Sequence, residues 1–280
     1  MNERDLSFRR VENPSPKKLS RDQIEHFNER GYIQPLSLFD DDEIARHRAY
    51  FDNLLLKIKE LKDGRNAYAI NSYQALCEGI WDLCKEPRIL DYVEDIVGPN
   101  IIAWASHYFC KLPHDGKTVP WHQDASYWHL TPARTVTVWL AIDDADEDNA
   151  AMKFIPGTHR VGHLKWREAQ GEVVLKQEIT DINRFGQPVY DCLKAGQLSL
   201  HADMLVHGSD PNVSDRRRCG LTIRYCEPEV RTTKPGWNID SIIARGRDST
   251  GNWKDNARPV GDTLVKEGAL HGKPNSIGGN

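Results

Sequence analysis

One change of texture constrains this chain most. Up to Gly98 the apolar residues recur at helical spacing; from Asn100 onward they fall in short β-branched and aromatic runs separated by turns. Ser20-Arg21-Asp22-Gln23 is a capping box, since a Ser hydroxyl and a Gln three residues later can satisfy each other's backbone donors. Ile24 and Phe27 share the following helix face, and Gly31 stops it. A second helix begins near Asp41 and Asp42, whose charges suit an N-terminus. It carries Ile44, Phe51, Leu54, Leu55, Ile58 and Leu61 on one side and closes at Gly64. Residues 74–84 and 87–97 read as two more helices, with Pro87 at a first helical position. Strands are predicted at 101–111, 135–142, 152–155, 172–177, 197–201, 204–206 and 219–226, after an irregular leader over 1–18. Helices followed by many short strands make an α+β chain whose strands form a sandwich or jelly roll.

The expected layout is a single domain over 1–280. Residues 1–98 give helical support and 99–227 a β core. Residues 159–190, a mixture of charges and glycines with Trp166, form a candidate lid, and 228–280 are an extension whose 263–280 end frays. Lys plus Arg number 37 against 41 Asp plus Glu, a net charge of −4, which argues against a polyanion or nucleic-acid partner. No apolar run is long enough to span a bilayer, and the first residues lack a signal-peptide core. None of the six cysteines forms a C-x-x-C pair, so they read as reduced, mostly buried thiols of a cytoplasmic protein.

The chemistry concentrates in Pro120-Trp121-His122-Gln123-Asp124. Two residues apart at a strand end, His122 and Asp124 share a face. With His207, from Val206-His207-Gly208-Ser209, they make two imidazoles and one carboxylate, a donor set that suits non-haem Fe(II) with open positions. A structural His–Asp hydrogen bond and a zinc site are compatible with the same residues. Arg218 follows His207 by eleven residues and is a bidentate partner for a carboxylate; Arg216 and Arg217 read as a solvated charge run.

At this point the sequence resembles the phytanoyl-CoA dioxygenase family of Fe(II)- and 2-oxoglutarate-dependent oxygenases. The matching segments are Trp121-His122-Gln123-Asp124, Val138-Trp139-Leu140-Ala141-Ile142, Phe154-Ile155-Pro156-Gly157-Thr158-His159-Arg160 and His207-Gly208-Ser209, with Pro211, Asn212, Ser214, Arg218 and Tyr225 following in register. The match covers residues 20 to 250. It departs from the family pattern at Asn149-Ala150, where Asn-Gly is usual, and at Gly196-Gln197, where Gly-Asp is usual.

The resemblance implies a double-stranded β-helix, a cupin-like jelly roll with buttressing N-terminal helices. It implies that His122, Asp124 and His207 hold Fe(II), that Arg218 pairs with the distal carboxylate of 2-oxoglutarate beside Trp139, and that O2 is the other co-substrate. With the carboxylate of Asp124 kept, hydroxylation of an aliphatic C–H is implied, where halogenating relatives lose that carboxylate. The substrate-side candidates are Lys111, His107, Tyr127, Trp128, Asn71, Tyr73 and Arg160. Cations converging among them would favour a small anionic or zwitterionic metabolite, such as 2-aminoethylphosphonate, or a secondary metabolite in a tailoring reaction. A zinc-dependent hydrolase and a non-catalytic cupin-like binding protein are the readings from other classes. The oligomeric state is not written in the sequence.

Overall fold

The computed structural model describes residues 4–264. The helices form where their caps place them. Ser20 and Gln23 close the capping box of α1 (Arg21–Arg30), and Gly31 ends it in the left-handed conformation. Asp40 and Glu43 do the same for α2 (Asp41–Glu60). This helix ends at Glu60, before Gly64, because the amide of the capping Leu61 already turns back onto the carbonyls of Ile58 and Lys59. The third helix, α3 (Glu78–Cys84), starts four residues later than its apolar pattern suggests, since 74–77 form a turn. α4 (Pro87–Val97) has the expected bounds.

Two antiparallel sheets face each other behind these helices. The larger combines β1 (Tyr32–Ser37), β2 (Ile101–Lys111), β5 (Thr135–Ala141), β10 (Gln197–Ala202), β12 (Arg218–Cys226) and β14 (Ile242–Arg245) in the order β1-β10-β5-β12-β2-β14. The smaller combines β3 (Val119–His122), β6 (Lys153–Phe154), β9 (Val189–Tyr190) and β11 (His207–Ser209) in the order β3-β11-β6-β9. Two-residue pairs, β4 (Leu130–Thr131) with β13 (Arg231–Thr232) and β7 (Arg167–Glu168) with β8 (Gln177–Glu178), lie outside them. This is the double-stranded β-helix with helices packed on its larger sheet. A short helix, α5 (Asp124–Tyr127), follows β3.

The strand pattern departs from expectation in four places. β1 carries Pro35, which removes a ladder donor and masks the strand, and the pairing is irregular between Ile33 and Leu36. Residues 204–206 turn, and the strand begins at His207. The strand predicted over 172–177 is reduced to a bridge between Thr118 and Val173 and the start of β8. β14 lies in the segment beyond 227 and completes an edge of the larger sheet. The predicted frayed end lies, beyond Leu264, outside the described residues. Of the cysteines, Cys192 is exposed; the other five are buried, and all are free.

The larger sheet is covered on both sides, and its two faces differ in kind. Val136, Val138, Leu140, Leu198, Leu200, Leu221, Ile223 and Tyr225 join the helical residues in one apolar core. The alternate residues face the smaller sheet, and the register aligns them in rungs across the strands. Ala105, Arg224, Thr137 and His201 form one rung; His107, Thr222, Trp139 and Ser199 form the next; Lys111 pairs with Arg218 at the far end.

Candidate metal centre and co-substrate pocket

His122 ends β3, Asp124 opens α5, and His207 opens β11, directly paired with His122 across the smaller sheet. One ligand atom from each lies within 4.8 Å of the others, and all three side chains are buried. His122 Nδ1 stands 2.8 Å from the carbonyl of Pro120, and His207 Nδ1 2.9 Å from that of Leu205. Each Nδ1–H donates to its carbonyl, which leaves both Nε2 lone pairs aimed at the third group. Those Nε2 atoms are 3.6 and 3.9 Å from Asp124 Oδ1. The spacings are too long for hydrogen bonds but within the span of two metal–ligand bonds of about 2.1 Å. A structural His–Asp hydrogen bond therefore does not account for the cluster, and the donor set fits a divalent cation such as Fe(II).

The electrostatics agree with that fit. Burial alone would raise the Asp124 carboxyl, but His122, His201, His207 and Arg224 outweigh it and hold the group well below the usual range, as an anion. Burial, helped by His122, pushes His207 well down, so its imidazole is neutral and able to ligate. His201 is a residue that no motif pointed to. It is fully buried, its Nε2 lies 3.8 Å from Asp124 Oδ2, and neither ring nitrogen has a hydrogen-bond partner among the described residues. Thr137 Oγ1 lies 3.5 Å from the same oxygen.

The three ligating side chains open into a narrow recess. Phe109, Trp139, Met152, His201, Ser209, Arg218, Thr222 and Arg224 are among the residues that line it. A larger groove beneath the leader, lined by Phe8, Val11, Asp95 and Arg134 among others, contains none of the three. Arg218 turns inward. Its Nε donates to the carbonyl of Ala150 at 3.1 Å and its Nη2 to Ser209 Oγ at 3.2 Å, and its guanidinium lies 5.6 Å from the Trp139 ring centroid. Ala150 takes the left-handed conformation, with φ of 66°, where the family has Gly, so the departure in sequence keeps the turn that presents this carbonyl. Arg216 and Arg217 instead pair with Asp146 and with Asp52 and Asp143.

The substrate-side candidates are scattered. Tyr127 stands edge-on to His122, with ring centroids 5.8 Å apart, and its hydroxyl accepts from the amide of Gln177. Lys111 faces inward beside Arg218, but its Nζ donates to the carbonyl of Lys117, and burial lowers its pKa to about 7. His107 is buried against the carbonyl of Tyr68, and Asn71 bridges to His107 through the backbone. Trp128 packs on Trp104 and Arg224. None of the seven is among the residues that line the recess, and two belong to other parts of the molecule. Tyr73 sits in the apolar core under the helices, bonded to Arg65, because its aromatic ring is worth more there. Arg160 ends an outer 3₁₀ turn and is exposed, while its neighbour His159 is the buried member of that motif.

A double-stranded β-helix with this donor set at its mouth defines a class, the non-haem Fe(II)- and 2-oxoglutarate-dependent oxygenases, and the chain is an enzyme of that class. The comparisons with known proteins narrow it further. The family model for "Phytanoyl-CoA dioxygenase (PhyH)" matches residues 27–220, and the chain belongs to that family. It is 28% identical over 252 residues to the peroxisomal phytanoyl-CoA dioxygenase of Rattus norvegicus, covering 81% of this chain and 74% of that one. It is 24% identical to the ectoine dioxygenase of Bordetella bronchiseptica, covering 79% and 80%. Among solved structures, the apo form of the non-heme monooxygenase ThoJ superposes with a TM-score of 0.75 at 28% identity, over 85% of this chain and 88% of that one.

Proposed function

We propose that His122 and His207, through Nε2, and Asp124, through Oδ1, hold Fe(II), and that Arg218 receives the distal carboxylate of 2-oxoglutarate with Trp139 packed beside it. The observation that carries this reading is Arg218. It is 2% exposed, shares the recess with the three ligands, and has no carboxylate within ion-pair distance among the described residues. A buried guanidinium without a counter-ion is costly, and an anionic co-substrate supplies the missing charge. A zinc hydrolase would not need it.

When bound, the iron and 2-oxoglutarate supply the oxidising power: one O2, one 2-oxoglutarate and one substrate C–H give succinate, carbon dioxide and a C–OH group. The chain's own contribution is placement. The carbonyls of Pro120 and Leu205 fix which imidazole nitrogen is free. Ala150 and Ser209 fix the fork of Arg218. Phe109, Val119 and Met152 exclude water. We further propose that 159–190 is a fixed wall fastened alongside β3, since the amides of Val174 and Ile179 donate to the carbonyls of Thr118 and Trp121 at 2.9 and 2.7 Å. The substrate in this reading is a small anionic or zwitterionic metabolite that meets Tyr127 beside the metal, 2-aminoethylphosphonate being one candidate. The narrowness of the recess supports a compact molecule, and the similarity to the ectoine dioxygenase supports the same choice.

The test is succinate release with Fe(II), 2-oxoglutarate and air over a metabolite panel that includes 2-aminoethylphosphonate. At least one member should raise succinate release stoichiometrically with hydroxylated product. Asp124→Ala should lower both by more than about 10³-fold, since altering even groups that only orient a ligand costs 10- to 100-fold. No succinate with any member, together with one zinc per purified chain, would overturn the assignment.

A further inference from the structure

Arg224 lies on the same face of β12 as Arg218, six residues on, so the two guanidinium-bearing positions are about 20 Å apart along the strand. Both line the recess. They are held very differently. Arg218 has oxygen acceptors from Ala150, Phe109 and Ser209. Arg224 is 2% exposed, and among the described residues it has no hydrogen bond and no carboxylate within ion-pair distance; its Nε is fully enclosed without a partner.

What holds Arg224 is aromatic. Its guanidinium lies 5.1 Å from the Trp128 ring centroid and 5.8 Å from that of Trp104, and those two indoles meet edge to face at 4.7 Å. Trp104 reaches this position because it is the extra residue where β2 bulges: Arg224 pairs with Ala105 and Tyr225 with Ala103. The Nε1 donors of Trp104 and Trp128 are also buried, with no acceptor among the described residues. A cation and two further donors thus share one packed cluster that contains no acceptor for them. Across the sheet the Arg224 rung leads to Thr137 and His201, the residues that flank Asp124. The carboxylate of Asp124 is the nearest acting negative charge on Arg224, and a bound divalent cation would neutralise it.

We propose that Arg224, fixed by the Trp104–Trp128 pair, is the anchor for a compact oxyanion, a carboxylate or phosphonate, on the primary substrate. It holds that substrate on the Asp124 side of the metal, while Arg218 serves the co-substrate at the other end of β12. This deepens the functional reading above and rests on it. The same fork would also accept a carboxylate of 2-oxoglutarate, so the test separates the two.

Full-length protein loaded anaerobically with Fe(II) and 2-oxoglutarate is titrated calorimetrically with 2-aminoethylphosphonate, methylphosphonate, 3-aminopropionate and the uncharged-end control 2-aminoethanol. At least one anion should bind about 10-fold or more tightly than 2-aminoethanol. Arg224→Gln should weaken that anion by about 10- to 100-fold, the range expected for a charge-assisted hydrogen bond, and Arg224→Lys should restore part of it. The 2-oxoglutarate affinity and metal content of Arg224→Gln should stay within about twofold of wild type, whereas Arg218→Gln should lose 2-oxoglutarate binding. Anion affinity unchanged by Arg224→Gln, no preference for anions, or loss of metal or 2-oxoglutarate with Arg224→Gln each overturns the anchor. A wild-type chain that binds metal but no 2-oxoglutarate sinks the oxygenase reading instead, and the Arg224 comparison is then read on the metal-loaded protein alone.

Discussion

The two faces of β12 are equally buried and chemically opposite. Cys219, Leu221, Ile223 and Tyr225 point into the apolar core beneath the helices. Arg218, Thr222 and Arg224 point into the recess, with Gly220 between them. On the first face burial is its own reward, because each side chain leaves water for carbon contacts. On the second, burial is a cost that, under the proposed function, bound ions and substrates offset. One strand therefore separates the stability of the molecule from its chemistry by a single residue of register, and a one-residue slip would exchange the two.

That separation can be broken from either side. Leu221→Ala removes core contacts without touching the recess; it should destabilise the fold by about 2–5 kcal/mol in urea unfolding while leaving metal stoichiometry intact. Metal loss in a still-folded Leu221→Ala protein would show that the faces are coupled. Gly220→Ala tests the inner face, where an added Cβ would run into the indole of Trp139. The expected cost is smaller, about 1–3 kcal/mol, but here 2-oxoglutarate binding should weaken, since Trp139 packs beside Arg218. The smallest effect concerns Lys111. Its pKa falls from the ordinary lysine range to about 7, through burial first and then Arg218. Between about pH 7 and 10.5 the unfolded chain keeps a proton that the folded chain has shed, so this residue makes stability rise with pH there, by up to about 1.4 kcal/mol per pH unit. Lys111→Met should remove that part of the slope, read by urea unfolding at pH 7 and 9; an unchanged slope would mean that Lys111 is charged and solvated.

The parts of this design that were legible in the sequence are those that sterics or motif spacing enforce. The capping box of α1, the bounds of β2, and the runs that became β5 and β12 could be read because local chemistry alone favours them. The meeting of His122, Asp124 and His207 needed the resemblance as well as spacing, since His-x-Asp by itself names no third partner. What stayed hidden depends on register. Arg224 and His201 are polar residues that alternate with apolar ones in their strands, and only the rungs of the folded sheet reveal that they lie on the Asp124 side. β1 was hidden by Pro35, and Tyr73 misled because a loop aromatic near a strand gives no sign of which side it will bury.

The hold of Ala150 and Ser209 on Arg218 has a thermodynamic side. The acceptors come from the chain itself, so the fork is fixed by the fold: the rotamer entropy of a long side chain, about 0.5–1.5 kcal/mol, is lost during folding. A dicarboxylate bound as proposed would meet a guanidinium whose direction the fold has already chosen.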